Sequence, residues 1–198
     1  MRNKKIQTMA FIALFIALIA IMSFTPLGYL KIGTVEMTLI GIPVIVGGII
    51  FGPKVGTVLG FTFGISSFIQ CFTGSVLGEI LLGINPILTF VTCVVPRTLM
   101  GLFVPLIYNQ LNKTKMKPIF KHVIANMCGS LLNTILFVGV LYFSFYDWVV
   151  QNYGNINIFL FLVVFVGINA LIEVIVCSTL GSTISFALEK YSNHSIRR

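Results

Sequence analysis

Arg97 and Glu173 are the two charges set well inside long apolar stretches of this chain, and the chemistry open to it starts with them. Between positions 86 and 108 no other residue is charged, and the stretch "CVVPRTLMGL" carries its guanidinium alone. A charge at the centre of a lipid-embedded helix costs about 2.5–3.5 kcal/mol on insertion scales. Such residues therefore face a bundle interior, where they are paired or line a pathway. Amides accompany both charges. Asn126 and Asn133, seven apart with Gly129 between them, share one helical face, and Asn169 and Glu173, four apart, share another. Asn85 stands at the start of the Arg97 segment.

These polar faces have two readings. In one, Arg97 and Glu173 form a buried ion pair that fixes helix register. In the other, Arg97 receives the anionic group of a ligand while Asn85, Asn126, Asn133 and Asn169 bind its hydroxyl or amide groups. Glu173 then orients Arg97 or accepts from a ligand donor. A guanidinium suits the second role because its planar fork engages a carboxylate through two parallel hydrogen bonds. Joint replacement by apolar residues separates the two readings, since a purely structural pair tolerates it.

Other chemistries lack their residues. The four cysteines, at 71, 93, 128 and 177, are scattered and form no CxxC pair, which leaves disulfide and metal readings without support. His122 sits beside a lysine cluster and His194 in the tail, and neither lies in an apolar run. No nucleophile–base set stands out, and no G-x-x-x-x-G-K-[ST] loop is present for nucleotide hydrolysis.

The elements that must position Arg97 and its neighbours are membrane helices. Of 198 residues, 57% are hydrophobic and 9% charged, with a mean hydropathy of +1.03. Soluble domains carry about 25% charged residues, so an aqueous surface cannot be built from this composition. Apolar runs near the ~20 residues of a bilayer-crossing helix recur at about 6–24, 38–51, 55–72, 86–108, 119–143 and 156–188. The chain reads as an all-α membrane protein, a six-transmembrane-helix bundle forming a single integral membrane domain over 1–198. The first run has a basic start but no small-residue cleavage site before Thr25, and reads as a retained span rather than a signal peptide.

Charge sets the orientation. With six spans, one face collects Arg2, Lys4, Lys5, Lys54, Lys113, Lys115, Lys117, Lys121, Lys190, Arg197 and Arg198, eleven of the thirteen basic residues. The other face keeps Lys31. The positive-inside rule then makes the N- and C-termini and the "NQLNKTKMK" loop cytoplasmic. The net charge of +8 is thus an orientation signal and gives no reason to invoke nucleic acid. A five-span arrangement would split the basic clusters across the membrane.

The outer face falls to three connections, 25–37, 73–85 and 144–155. They contain Glu36, Glu79, Asn85, Asp147 and the aromatics Tyr29, Phe145, Tyr146, Trp148 and Tyr153. "FSFYDWVVQNY" reads as an aromatic belt at headgroup level or as a lid whose Trp148 stacks on a ligand. The two are compatible. Small residues mark the packing seams: Ala10, Ala13, Ala17 and Ala20 on one stripe of the first helix, and Gly52, Gly56, Gly60 and Gly64 at every fourth position. Such residues let backbones approach closely in lipid. The glycine ladder reads as internal packing; the alanine stripe fits either internal packing or docking of another membrane subunit. Pro43 and Gly47-Gly48 interrupt the short second run, which is either a broken helix bordering a cavity or a helix with proline in its first turn.

The stretch "FTPLGYLKIGTVEMTLIGIPVIVGGIIFGPKVGTVLGFTFG", together with "VPRTLMG" and the alanine-striped first helix, resembles a substrate-binding S component of an energy-coupling factor (ECF) vitamin transporter. The resemblance covers essentially the whole chain. "GIPVIVGGIIFGPKVG" is its most specific segment, and the T-P-L-G start, the I-P-V-I-x-G-x-x-x-G-P-K core and the P-R pair are most similar to pantothenate-type members. The resemblance implies a non-enzymatic protein of the cell membrane that binds its vitamin at the outer face, beneath the first, third and fifth inter-helix loops. It implies partners: a transmembrane coupling subunit and two cytoplasmic ATPase subunits, which use the ATP, so that this chain needs no cofactor. It also implies docking through an A-x-x-x-A motif, matched by Ala13 and Ala17, and toppling of the whole S component in the membrane. S components for hydroxymethylpyrimidine or pyridoxine-type molecules share parts of the pattern. A solitary secondary transporter of a small organic anion, with Glu173 as proton carrier, is the alternative from another class; the repeat symmetry common in such proteins is not apparent.

Overall fold

The second apolar run, "GIPVIVGGIIF", has no polar face at all, and a helix that is hydrophobic all round has to be buried. It forms α2 (Gly41–Phe51), whose residues from Gly41 to Ile49 are all buried, and helices from both before and after it in the chain pack against it. The computed structural model describes residues 4–25, 28–32 and 35–196. Of the residues weighed above, Arg2, Pro26, Leu27, Arg197 and Arg198 lie outside the described residues, as do the side chains of Lys4, Lys5, Tyr29, Lys31, Glu36, Asn169 and His194.

In chain order, α1 (Lys4–Ser23) leads into an antiparallel hairpin, β1 (Tyr29–Ile32) and β2 (Val35–Thr38), in which Tyr29 faces Thr38 and Ile32 faces Val35. Next come α2, α3 (Pro53–Gln70), the short α4 (Val76–Ile84), α5 (Pro86–Asn112), α6 (Pro118–Ser144) and the short α7 (Tyr146–Tyr153). The last long helix is α8 (Ile158–Val176), a π-helical turn (Cys177–Gly181) and α9 (Ser182–Ile196). The hairpin, α4 and α7 occupy the three connections expected on the outer face. The fold is therefore helical, as the sequence reading expected, with one short hairpin among the described residues in the first connection.

Each predicted span overlaps a helix, and the sixth overlaps the α8–π–α9 rod. By length and apolarity, Pro86–Asn112, Pro118–Ser144 and Ala170–Tyr191 are long and apolar enough to cross a membrane. Tyr146–Tyr153 and Ile158–Phe165, bent by 66°, add a fourth if taken as one span. Thr8–Ser23 and Gly41–Phe51 are apolar but shorter. Exposed Ile6, Met9, Leu14 and Ile21 on α1, and Phe159, Val163, Leu171 and Ile175 on α8, give the bundle an apolar exterior suited to lipid.

The α2–α3 corner is a glycine turn. Gly52 has φ +91°, which side-chain-bearing residues rarely adopt, and Pro53 starts the next helix, where its missing N–H costs nothing. Pro43 lies in the first turn of α2, and that helix runs unbroken through Gly47-Gly48. The glycine ladder is the seam between α3 and α5. A Cβ on Gly64 would stand 2.7 Å from the Val94 Cα, and one on Gly56 or Gly60 would strike the backbone at Gly101 or Arg97. The main core groups Phe15, Ile19, Ile45, Leu59, Phe63, Met100 and Val104 around α2. A second cluster joins Leu81 of α4, Val149 of α7 and Phe161 of α8 to Val138 and Leu141 of α6, forming a cap at the end opposite the basic loops.

Two sequence expectations need correction. Cys71 and Cys93 are not scattered in space, because the chain returns through α4 and sets their Sγ atoms 3.6 Å apart. His122 is fully buried, since the start of α6 places it against Tyr108 of α5 and Phe186 of α9 while Lys113, Lys115 and Lys117 stay exposed.

Candidate functional site

Arg97 is held by a vacancy that its preceding residue creates. In an α-helix the Thr92 carbonyl would accept from the N–H of residue 96, but Pro96 has none. The Arg97 guanidinium takes that place, with Nη1 donating to the Thr92 carbonyl at 2.9 Å. Helical side chains lean towards the N-terminus, and this bond draws the charge roughly 5 Å towards the capped end of α5. The depth of position 97 within its helix therefore overstates the depth of its charge.

Aromatic rings flank the guanidinium. Its Cζ lies 4.6 Å from the Phe137 ring centroid on α6 and 5.6 Å from that of Phe63 on α3. These distances are within reach of cation–π attraction. Arg97 is 9% exposed, and its Nε is buried without a hydrogen-bond partner. Among the described residues the close approach of a basic to an acidic side chain within 4.0 Å is between the His122 ring and the Glu189 carboxylate; Arg97 and Glu173 do not form an ion pair. The register-fixing contact pair weighed from the sequence is thus absent, and Glu173 acts on the buried guanidinium only at longer range.

The α6 face opposite Arg97 continues this polar layer. Asn133, one turn from Phe137, is 9% exposed, and its Oδ1 is buried and unpartnered. Ser130, nearly a turn further on, donates to Glu173 Oε1 at 3.3 Å. Together the layer presents a free donor at Arg97, a free acceptor at Asn133 and the Ser130–Glu173 pair. An anionic group with adjoining hydroxyl or amide functions complements it.

Asn126 belongs to a different layer, nearer the basic end. Its Nδ2 donates to the His122 carbonyl at 2.9 Å and to Ser185 Oγ at 3.4 Å. Below it, His122 Nε2 lies 2.7 Å from Glu189 Oε2 and 3.1 Å from the Tyr108 hydroxyl, which also donates to Glu189. This network joins α5, α6 and α9 beside a cavity of about 290 Å³ lined by Tyr108, Asn112, Lys121, Phe186 and Glu189. The π-helical turn serves both layers. Twelve residues of plain α-helix would turn Ser185 about 120° from Glu173, whereas one extra residue absorbed in a π turn cuts this to about 20°. Both side chains thereby reach α6.

Asn85 and Trp148 stand apart from this layer. Asn85 caps α5, its Oδ1 accepting from the Ile87 and Leu88 N–H groups, as its place ahead of Pro86 would allow. Trp148 is half-buried on α7, packs against Tyr153 at 6.1 Å and borders the cap cluster. Asn169 lies on α8, with its side chain outside the described residues. Ala10, Ala13 and Ala17 are exposed on α1, and Ala20 is partly covered. Phe63, Phe137 and Ser130 were not singled out from the sequence; the four-residue step from Asn133 to Phe137 was the available signal.

A family profile described as "ECF transporter, substrate-specific component" matches residues 7–185. The chain belongs to this family. Substrate-specific components are transport proteins, so this one is a multi-pass membrane protein and not an enzyme, and the family implies a vitamin substrate and the ECF module as partners. The fold is similar to that of a solved structure of ThiT from Listeria monocytogenes, with a TM-score of 0.64 at 18% identity, over 95% of this chain and 98% of that one. Among curated proteins no sequence match reaches significance.

Proposed function

We propose that this substrate-specific component spans the membrane six times with both termini cytoplasmic, and captures a small vitamin carrying a carboxylate, pantothenate, at its outer face. The observation that carries this reading is the buried Arg97 with its free Nε and no carboxylate within 4.0 Å, together with the free Oδ1 of Asn133 one helical turn from Phe137, the ring that lies on the guanidinium. Burying a charge without a partner is costly, and a ligand carboxylate supplies the missing charge. Pantothenate adds two hydroxyls and an amide for Asn133, Ser130 and Glu173. A cationic vitamin would instead place its charge near the Arg97 guanidinium. The motif resemblance to pantothenate-type members supports the same choice.

Delivery inward depends on partners. The exposed Ala10, Ala13 and Ala17 give α1 a surface on which a coupling-subunit helix can approach closely. Two cytoplasmic ATPase subunits then supply the energy, and no cofactor is held by this chain. Asn85, Asn126 and Trp148 take supporting places: Asn85 fixes the start of the Arg97 helix, Trp148 belongs to the cap, and Asn126 steadies the α6–α9 contact below the site.

Calorimetric titration of the purified, detergent-solubilised protein tests the substrate, with pantothenate beside riboflavin, thiamine and a hydroxymethylpyrimidine. Tight pantothenate binding that drops about a hundredfold or more in Arg97→Ala is expected, the loss of two charge-assisted hydrogen bonds. Binding of another vitamin with pantothenate ignored would overturn the substrate. Pantothenate binding that survives Arg97→Ala would remove Arg97 from the site.

A further inference from the structure

The thiols of Cys71 and Cys93 meet at the outer end of the α3–α5 seam, Sγ to Sγ 3.6 Å, and both residues are buried. Cys71 closes α3 and begins a turn whose Phe72, Thr73 and Gly74 are exposed. The first turn of α4 rests on it: a Cβ on Gly78 would stand 2.8 Å from the Cys71 Cα. Cys93 lies on α5 beside Val94, where the glycine ladder ends at Gly64. Beyond that point the end of α3 meets α5 through side chains, with the Phe68 and Phe90 ring centroids 5.2 Å apart. No other sulfur pair is in contact among the described residues.

We propose that Cys71 and Cys93 are a dithiol–disulfide pair, an oxidation site that staples the 71–84 segment to α5 when the bond forms. The sulfurs need to close to about 2.05 Å, a shift of roughly 1.5 Å that side-chain rotation and a small helix adjustment supply. The oxidant is a small-molecule disulfide. One cysteine thiolate attacks it, forming a mixed disulfide and releasing one thiol, and the second cysteine displaces the other thiol. The protein loses two hydrogens and two electrons, which leave with the two released thiols. The exposed 72–74 turn is the route by which the oxidant reaches Cys71.

The staple bears on the site because α4 is part of its cap. Leu81 packs in the cluster against which Phe137 rests, and Phe137 lies on the Arg97 guanidinium. Tying α4 to α5 limits how far the cap parts from Arg97; this consequence, and the outward location of the thiols, rest on the proposed capture at the outer face.

The test treats the full chain, in lipid nanodiscs without ligand, with oxidised glutathione, followed by alkylation and peptide mass mapping. A Cys71–Cys93 cross-linked peptide is expected, in the native sequence and in a Cys128→Ser, Cys177→Ser variant alike. Amide exchange over 76–84 should slow by roughly tenfold on oxidation, and Cys71→Ser and Cys93→Ala should show no such response. Persistent glutathione adducts, a link through Cys128 or Cys177, or unchanged exchange in the linked protein would overturn the staple. None of these readouts involves a vitamin, so failure of pantothenate binding leaves the result intact. In sealed vesicles of known sidedness, a link formed only by oxidant on the cytoplasmic side would refute the outer placement while the staple stands.

Discussion

Replacing Pro96 with alanine should make the protein more stable and a weaker binder at once. Alanine restores an N–H at position 96, aimed at the Thr92 carbonyl that now accepts from Arg97 Nη1 at 2.9 Å. Proline in a helix interior is disfavoured by up to about 3 kcal/mol relative to alanine. The native bundle already accommodates Pro96, so a gain of about 1 kcal/mol is expected, a rise of roughly 2–4 °C in the unfolding temperature of a chain this size. The guanidinium's bond to that carbonyl is charge-assisted and contributes about 1.5–3 kcal/mol. A carbonyl oxygen has two lone pairs, so the backbone N–H weakens this bond without abolishing it. Loss of about 1 kcal/mol in the placement of Arg97 corresponds to roughly fivefold weaker pantothenate binding. Thermal unfolding and calorimetric titration on the same preparation give both numbers. Unchanged affinity in a protein stabilised as expected would show that the Thr92 bond does not position Arg97. A fall in unfolding temperature would show that the seam needs the bend of Pro96 itself.

Gly60→Ala sets a Cβ against the Arg97 carbonyl at a backbone-to-backbone contact; overpacking there should cost about 1–3 kcal/mol and lower the unfolding temperature, and unchanged stability would mean that the seam yields. Ala13→Leu with Ala17→Leu, on the exposed stripe of α1, should leave ligand binding by the isolated chain intact and abolish co-purification with the coupling subunit; retained assembly would move docking to another face. Glu189→Gln removes the charge facing the fully buried His122. It should lower the unfolding temperature while calorimetric affinity for the vitamin stays within about twofold, because Glu189 lies in the layer below Arg97; a large loss of affinity would join the two layers.

Solvent chemistry made the helices and the family readable. Lipid demands long apolar runs with internally paired backbone, and the runs at 86–108 and 119–143 fall on α5 and α6. The ladder Gly56, Gly60 and Gly64 was legible for a similar reason, since close backbone approach excludes nearly every other residue. The hairpin and the short helices α4 and α7 were not legible. Their strands and turns are too brief for periodicity to register, and packing over the helix ends decides them.

The polar residues divide along the same line. Residue type alone marked Arg97 as exceptional, because an unshielded charge in an apolar helix needs a partner whatever the fold. Helical spacing grouped Asn126 with Asn133, since seven residues return to one face. It could not show that the two serve different layers, a separation set by where α9 and its π turn meet α6. Whether Glu173 reaches Arg97, whether Cys71 finds Cys93 across 22 residues, and whether His122 is solvated or enclosed all depend on distances between segments. The sequence by itself determined the solvent, the helices and the two charges set inside them, Glu173 and above all the Arg97 cation. Only the tertiary structure decided which groups meet that charge, because a side chain's partners are fixed by how helices pack and not by their order along the chain.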